Sequence, residues 1–120
     1  MTRGKITCSR VYVWSPTTSP AFLVDRLWPR GIRRDTLKDV AWLKDVAPSD
    51  ELRKWYGHDP ARWAEFRDRY RHELDAHRQA AEPILTAAKK GDVTLLYGAR
   101  DEERNNAVVL RDWLLHRLQR

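Results

Sequence analysis

Two short apolar runs, Ala21-Phe22-Leu23-Val24 and Val93-Thr94-Leu95-Leu96-Tyr97, constrain this chain more than any other feature. Each is shorter than a stable helix and stops abruptly at polar residues. Asp25-Arg26 follows the first run and Gly98-Ala99-Arg100-Asp101 follows the second. A run that is apolar at successive positions is the pattern of a strand covered on both faces, because a strand with one wet face alternates. Strands of that kind pair in parallel, and parallel neighbours need a long crossover between them.

The segment between the two runs has the signals of such a crossover. Pro48-Ser49-Asp50-Glu51 reads as a helix start, and Leu52, Trp55 and Tyr56 then share one face. His58-Asp59-Pro60 restarts the chain as a cap followed by proline at a first helical position. Trp63, Phe66, Tyr70 and Leu74 form an apolar stripe at helical spacing, flanked by charged residues, and are predicted to be core. Pro83 interrupts this helix, and Ile84, Leu85 and Ala88 carry a further piece to a stop at Lys89-Lys90-Gly91. A last helix has Ala107, Leu110, Leu114 and Leu118 on one side. Upstream, 5–14 reads as a strand and the Pro-containing stretch 15–20 as a loop, while 35–46 allows a helix but reads better as a short turn followed by a strand near 40–46. These elements predict an α/β fold: a single domain over 1–120, with a small sheet holding at least one parallel pair flanked by helices.

Composition agrees with that reading. A chain of 120 residues fits one domain, and six Trp, four Tyr and two Phe supply a core. No apolar run approaches the ~20 residues that span a bilayer, and the start MTRGKITCSRVYVW lacks the apolar stretch of a secretory signal. The lone Cys8 is expected to be a buried free thiol. A cytoplasmic location and no membrane partner follow as expectations.

The formal net charge of +6 is unevenly placed. Residues 1–34 hold Arg3, Lys5, Arg10, Arg26, Arg30, Arg33 and Arg34 against Asp25 alone, so the rest of the chain balances to zero. Such an excess suits an anionic partner, a small molecule or a nucleic acid, and equally a solvated surface.

The candidate chemistry lies where the two apolar runs turn polar. Parallel neighbouring strands would bring both ends to one edge of the sheet, and open α/β sheets bind ligands outside the carboxyl ends of their strands. Asp25 and Asp101 are therefore candidate catalytic carboxylates. Arg26, Arg30 and Arg100 are candidate anion ligands, since guanidinium forks match carboxylate and phosphate oxygens. Asn105, with Asn106, sits at the start of the last helix, where asparagine caps and the free N–H groups attract anions. Trp28, beside Pro29, offers a stacking surface or a lid on the core. Lys44, Arg53 and His58 are further polar candidates near helix starts, with His58 reading as a turn residue more than as a general base. Zinc spacing, P-loop and dinucleotide glycines and a nucleophile elbow are all missing from the sequence, so no metal or cofactor is expected.

The strings VDRLWPRG (24–31), APSDELRKWYGHDPARWAEF (47–66), RYRHEL (69–74) and TLLYGARDEERNNA (94–107) resemble the YeaO-like branch of the DUF488 family. The resemblance runs from about Arg10 to the last helix. It implies a compact cytoplasmic α/β domain and no particular substrate. The positions it carries over are Asp25, Arg26, Trp28, Arg30, Lys44, Arg53, Asp101 and Asn105. Other branches carry cysteines around the stretch matching 93–107, and a Cys-His-Arg string near the last helix. Leu96-Tyr97-Gly98 and Asn105-Asn106-Ala107 stand there instead, so thiol or metal chemistry does not transfer. Two functional expectations result: a site for an anionic small molecule such as a nucleotide or phosphorylated metabolite, or a nucleic-acid-binding module built on the basic N-terminal third.

Overall fold

In the computed structural model, which describes residues 4–119, four strands form one all-parallel sheet in the order β1-β4-β2-β3. They are β1 (Ile6–Arg10), β2 (Ala21–Leu23), β3 (Ala41–Trp42) and β4 (Val93–Tyr97). The two apolar runs are parallel neighbours, with Phe22 opposite Leu95 and Leu23 opposite Leu96. The helices are α1 (Asp50–Tyr56), α2 (Trp63–Ala76), α3 (Glu82–Lys90) and α4 (Asn106–Leu118). Three of them lie in the crossover from β3 to β4.

Alternation along β4 divides the core. Val93, Leu95 and Tyr97 join Phe22, Val24 and the helices in the larger cluster. Leu96 points the other way, with Leu23, Val11 and Leu37, and is covered by Trp14, Trp28, Ile32 and Trp42. One face of the sheet is therefore covered by α-helices. The other is covered by the irregular stretches around residues 11–14 and 26–40, which include a single 3-10 turn, Arg34–Leu37. The expected small parallel sheet flanked by helices is present, with the α-helices on one face. Tryptophans do the covering on the other.

Two expected strands are shorter than the sequence suggests. The first ends at Arg10 because Val11 N–H makes the last ladder bond, to Tyr97, and Val13 N–H then closes a turn onto the Arg10 carbonyl. The expected strand over 40–46 reduces to Ala41–Trp42, and Lys44–Val46 is a 3-10 turn. β3 lies at the edge, so nothing beyond β2 holds it extended.

The crossover follows its caps. Ser49 Oγ accepts from Leu52 N–H, and the Glu73 carboxylate holds Ser49 through its hydroxyl (2.6 Å) and its N–H (2.7 Å). One cap thereby fastens α1 to α2. Phe66, Tyr70 and Leu74 are buried, and Trp63 is half-buried at the end of the stripe. Pro83 sits in the first turn of α3, after α2 has ended at Ala76. Among the described residues, no helix is long and apolar enough to cross a membrane. Arg3, counted in the basic N-terminal third, lies outside the described residues.

Candidate functional site

The site follows from where the chain goes after its two central strands. From β2 it continues outward to β3, and from β4 it enters α4, which packs back over β1 and β4. Neighbouring strands whose connections diverge leave a crevice at their carboxyl ends. A cleft of about 340 Å³ opens there.

Asp25 leaves the end of β2 and Gly98 the end of β4, and the two meet: Gly98 N–H donates to Asp25 Oδ2 at 2.8 Å. A Cβ on residue 98 would come within 3.3 Å of that oxygen, so glycine permits this close approach. Asn106, in the first turn of α4, donates through Nδ2 to the Val24 carbonyl and also supports the Asp25 carboxylate. Burial pushes the Asp25 carboxyl above its ordinary range. The Gly98 N–H, the Asn106 amide and the charge of His58 pull it part of the way back. Among the described residues no Arg or Lys forms a salt bridge with Asp25. A recessed carboxyl without a cation in contact is costly, and such groups concentrate at binding and catalytic sites.

The lining is both aromatic and basic. Tyr56 stacks on Phe66 with ring centroids 4.3 Å apart, and His58 tilts against Tyr56 at 5.9 Å. Trp28 and Pro29 line the cleft as well. Arg26, Arg30, Arg53 and Lys54 contribute to the lining, but not equally. Arg26 Nε donates to the Pro48 carbonyl at 2.9 Å, tying the end of β2 to the approach of α1. Arg53 and Lys54 share Asp50, at 2.7 and 3.1 Å. The exposed Arg30 guanidinium has no hydrogen-bond or ion-pair partner among the described residues. Only its backbone carbonyl is used, by Tyr12 Oη at 2.8 Å.

The structure thus brings Asp25, Arg26, Trp28, Arg30, Arg53 and Asn105 of the expected site to one cleft. Asn105 is there as the α4 cap. Its Oδ1 accepts from Val108 N–H and its Nδ2 donates to the Asp101 carbonyl, so a ligand would find it already satisfied. Trp28 is chiefly a cover of the second core: Nε1 donates to Ile32, one edge meets Trp42, and Arg34 lies over its ring at 4.1 Å.

Lys44, Arg100 and Asp101 do not line the cleft. Lys44 lies over the Trp42 ring at 4.1 Å, and Arg100 is exposed on the loop after β4. The Asp101 carboxylate is spent on the loop itself, accepting from Glu103 and Arg104 N–H and pairing with the Arg104 side chain. Those bonds hold it below the usual carboxylate range. Its carboxylate geometry is that of a loop brace, which weighs against a role as general base. Cys8 is also outside the cleft. Burial pushes its thiol up to about 11, so it is not a reactive thiolate. Among the described residues no cluster of His, Cys, Asp and Glu could hold a metal.

Tyr56 and Lys54 line the cleft without having been expected there, and His58, expected first as a turn residue, lines it too. Gly57 is the left-handed cap of α1 at φ 54°, and His58 follows at φ 58°. Two successive left-handed residues turn the chain back and bring His58 into the cleft lining. The readable signal was Gly57 directly after the Leu52-Trp55-Tyr56 stripe.

An all-parallel α/β domain with a carboxyl-edge cleft is the class of protein these features define. The chain belongs to the inactive DUF488-N3 subclade, whose family model matches residues 5–120. It is 43% identical over 110 residues to the uncharacterized protein YeaO of Escherichia coli K12, covering 91% of this chain and 96% of YeaO. It is 40% identical over 111 residues to the uncharacterized protein Rv3073c of Mycobacterium tuberculosis H37Rv, covering 92% of this chain and 93% of that protein. No solved structure matches it.

Proposed function

We propose that the cleft binds a small anionic molecule carrying a phosphate, and that it holds this ligand without turning it over. The observation that carries the reading is Arg30. The other Arg and Lys side chains of the lining, Arg26, Arg53 and Lys54, are committed to a carbonyl or a carboxylate, while this guanidinium stands beside the Trp28-Pro29 turn with no partner among the described residues. A planar fork in that position suits two phosphate oxygens. The description of the matching family as inactive favours holding over catalysis. So does the use of Asp101 as a loop brace, which leaves Asp25 as the cleft's recessed carboxyl.

Arg30→Lys is expected to weaken phosphate-ligand binding about tenfold or more, the scale of a hydrogen bond to a charged group, although the charge is kept. The melting temperature should hardly move, because the side chain braces nothing. The measurement pairs thermal melting with calorimetric titration against sugar phosphates, nucleotides and oligonucleotides. No binding by the wild type to any small phosphate compound would sink the reading. Binding to oligonucleotides alone, with a steep dependence on salt, would transfer the function to the nucleic-acid alternative.

A further inference from the structure

Asp25 asks more of a ligand than a phosphate does. A carboxylate has about four lone-pair sites. Gly98 N–H occupies one at 2.8 Å and the Asn106 amide, bonded to the Val24 carbonyl, lies close by, which leaves acceptor sites on a group that lines the cleft. Since no Arg or Lys bridges this carboxylate among the described residues, the protein leaves its acceptors for something else to fill. An anion alone would be repelled. The matching ligand carries N–H donors at one end and negative charge at the other, so that the donors reach Asp25 while the charge meets Arg30.

The walls narrow the choice. Tyr56, Phe66 and Trp28 are among the residues that line the cleft, and an aromatic lining suits a planar ring even though most of each ring is packed against its neighbours. At about 340 Å³ the cleft lies near the lower end of small-molecule pockets, roughly 300–1,000 Å³, room for one mononucleotide. Among the common bases, adenine and cytosine pair each N–H with a neighbouring acceptor, and uracil flanks its N–H with two carbonyls. Guanine presents a ring N–H beside an amino group, two parallel donors that a carboxylate accepts together. We propose that the cleft is a guanine nucleotide site, with Asp25 reading the base edge and Arg30 taking the phosphate. This rests on the anion-binding reading above.

The test compares guanosine monophosphate, inosine monophosphate, adenosine monophosphate, ribose phosphate and phosphoethanolamine by calorimetry on the full chain. Inosine lacks only the amino group, so the wild type should bind the guanine nucleotide about tenfold more tightly than inosine or adenosine nucleotides, the value of one charge-assisted hydrogen bond. Asp25→Asn should erase that preference and lower guanosine monophosphate to the level of ribose phosphate. Its melting curve checks that it is folded, and the comparison of bases in the wild type stands without any variant. Equal binding of ribose phosphate and guanosine monophosphate by the wild type would overturn the base reading. If Arg30→Lys still weakened both, the phosphate site would survive it. Preference for phosphoethanolamine would replace the base with an ammonium group and also overturn it. Silence from every compound would remove both proposals together.

Discussion

At the scale of single residues, what the sequence discloses is chemistry, and what it hides is direction. Asp25 and Asp101 look alike in the sequence, each following an apolar strand. Asp25 is recessed on Gly98, whereas Asp101 folds back on its own loop. The difference arises because Asp101 is followed by N–H groups within two and three residues, a local closure that beats any distant partner. His58 was hidden for another reason: its place depends on a left-handed backbone that histidine adopts at some cost and that Gly57 introduces. The cost makes a prediction. His58→Val should destabilise the fold by about 1–2 kcal/mol, because a β-branched residue resists φ 58°. His58→Gly should leave stability nearly unchanged, since relief of the left-handed strain offsets the added freedom of the unfolded chain. Chemical denaturation of the two variants measures this directly. Equal losses would mean that the imidazole, and not the backbone, is what the fold needs there.

At the scale of elements, the apolar pattern was legible and the strand ends were not. Ala21–Leu23 and Val93–Tyr97 were readable because burial on both faces leaves no polar position in the run. The stretch 5–14 was misread at its end because the alternation of Tyr12 and Trp14 continues past the point where the ladder has no more partner, after Tyr97. Likewise the stretch 40–46 lacks a neighbour beyond β2, and a 3-10 turn closes locally instead. Burial of the α2 stripe was legible because three aromatics and a leucine at helical spacing have no other use. Phe66 is its centre: 2% exposed, stacked on Tyr56, and 5.8 Å from Trp63. Phe66→Ala should therefore cost ~3–5 kcal/mol through lost transfer energy and the cavity left behind. Trp63→Ala, at the half-buried end, should cost less. A melting temperature insensitive to Phe66→Ala would show that α1 and α2 are held by the Ser49–Glu73 clasp rather than by aromatic packing.

At the scale of the whole molecule, the carboxylates divide into two groups that pull stability in opposite directions with pH. Hydrogen bonds and ion pairs from Arg53 and Lys54 lower Asp50, bonds from Trp113 and Arg117 lower Asp75, and the loop amides lower Asp101. Each contributes stability that is present above the unfolded carboxylate value of about 4 and is lost as pH falls through its lower folded value. All three are exposed enough for water to screen most of that gain. Asp25 has the reverse sign. Its folded value is raised, so the folded state binds a proton more tightly than the unfolded chain, and stability falls as pH rises from about 4 through that raised value. Wherever this carboxyl is ionised the fold carries a desolvation cost that Gly98 N–H offsets only in part and that a ligand's N–H groups would relieve. Asp25→Asn keeps an acceptor for Gly98 N–H while removing the charge, and should be more stable than wild type at about pH 7. That advantage should shrink as pH falls and the wild-type carboxyl takes up its proton. Urea unfolding of both proteins between about pH 4.5 and pH 8 measures the difference. A difference that does not change with pH would mean that Asp25 carries no desolvation cost in the fold, and its case as a binding group would lose its energetic basis. Guanosine monophosphate added at neutral pH should stabilise the wild type and leave the variant almost unmoved, closing the gap from the other side.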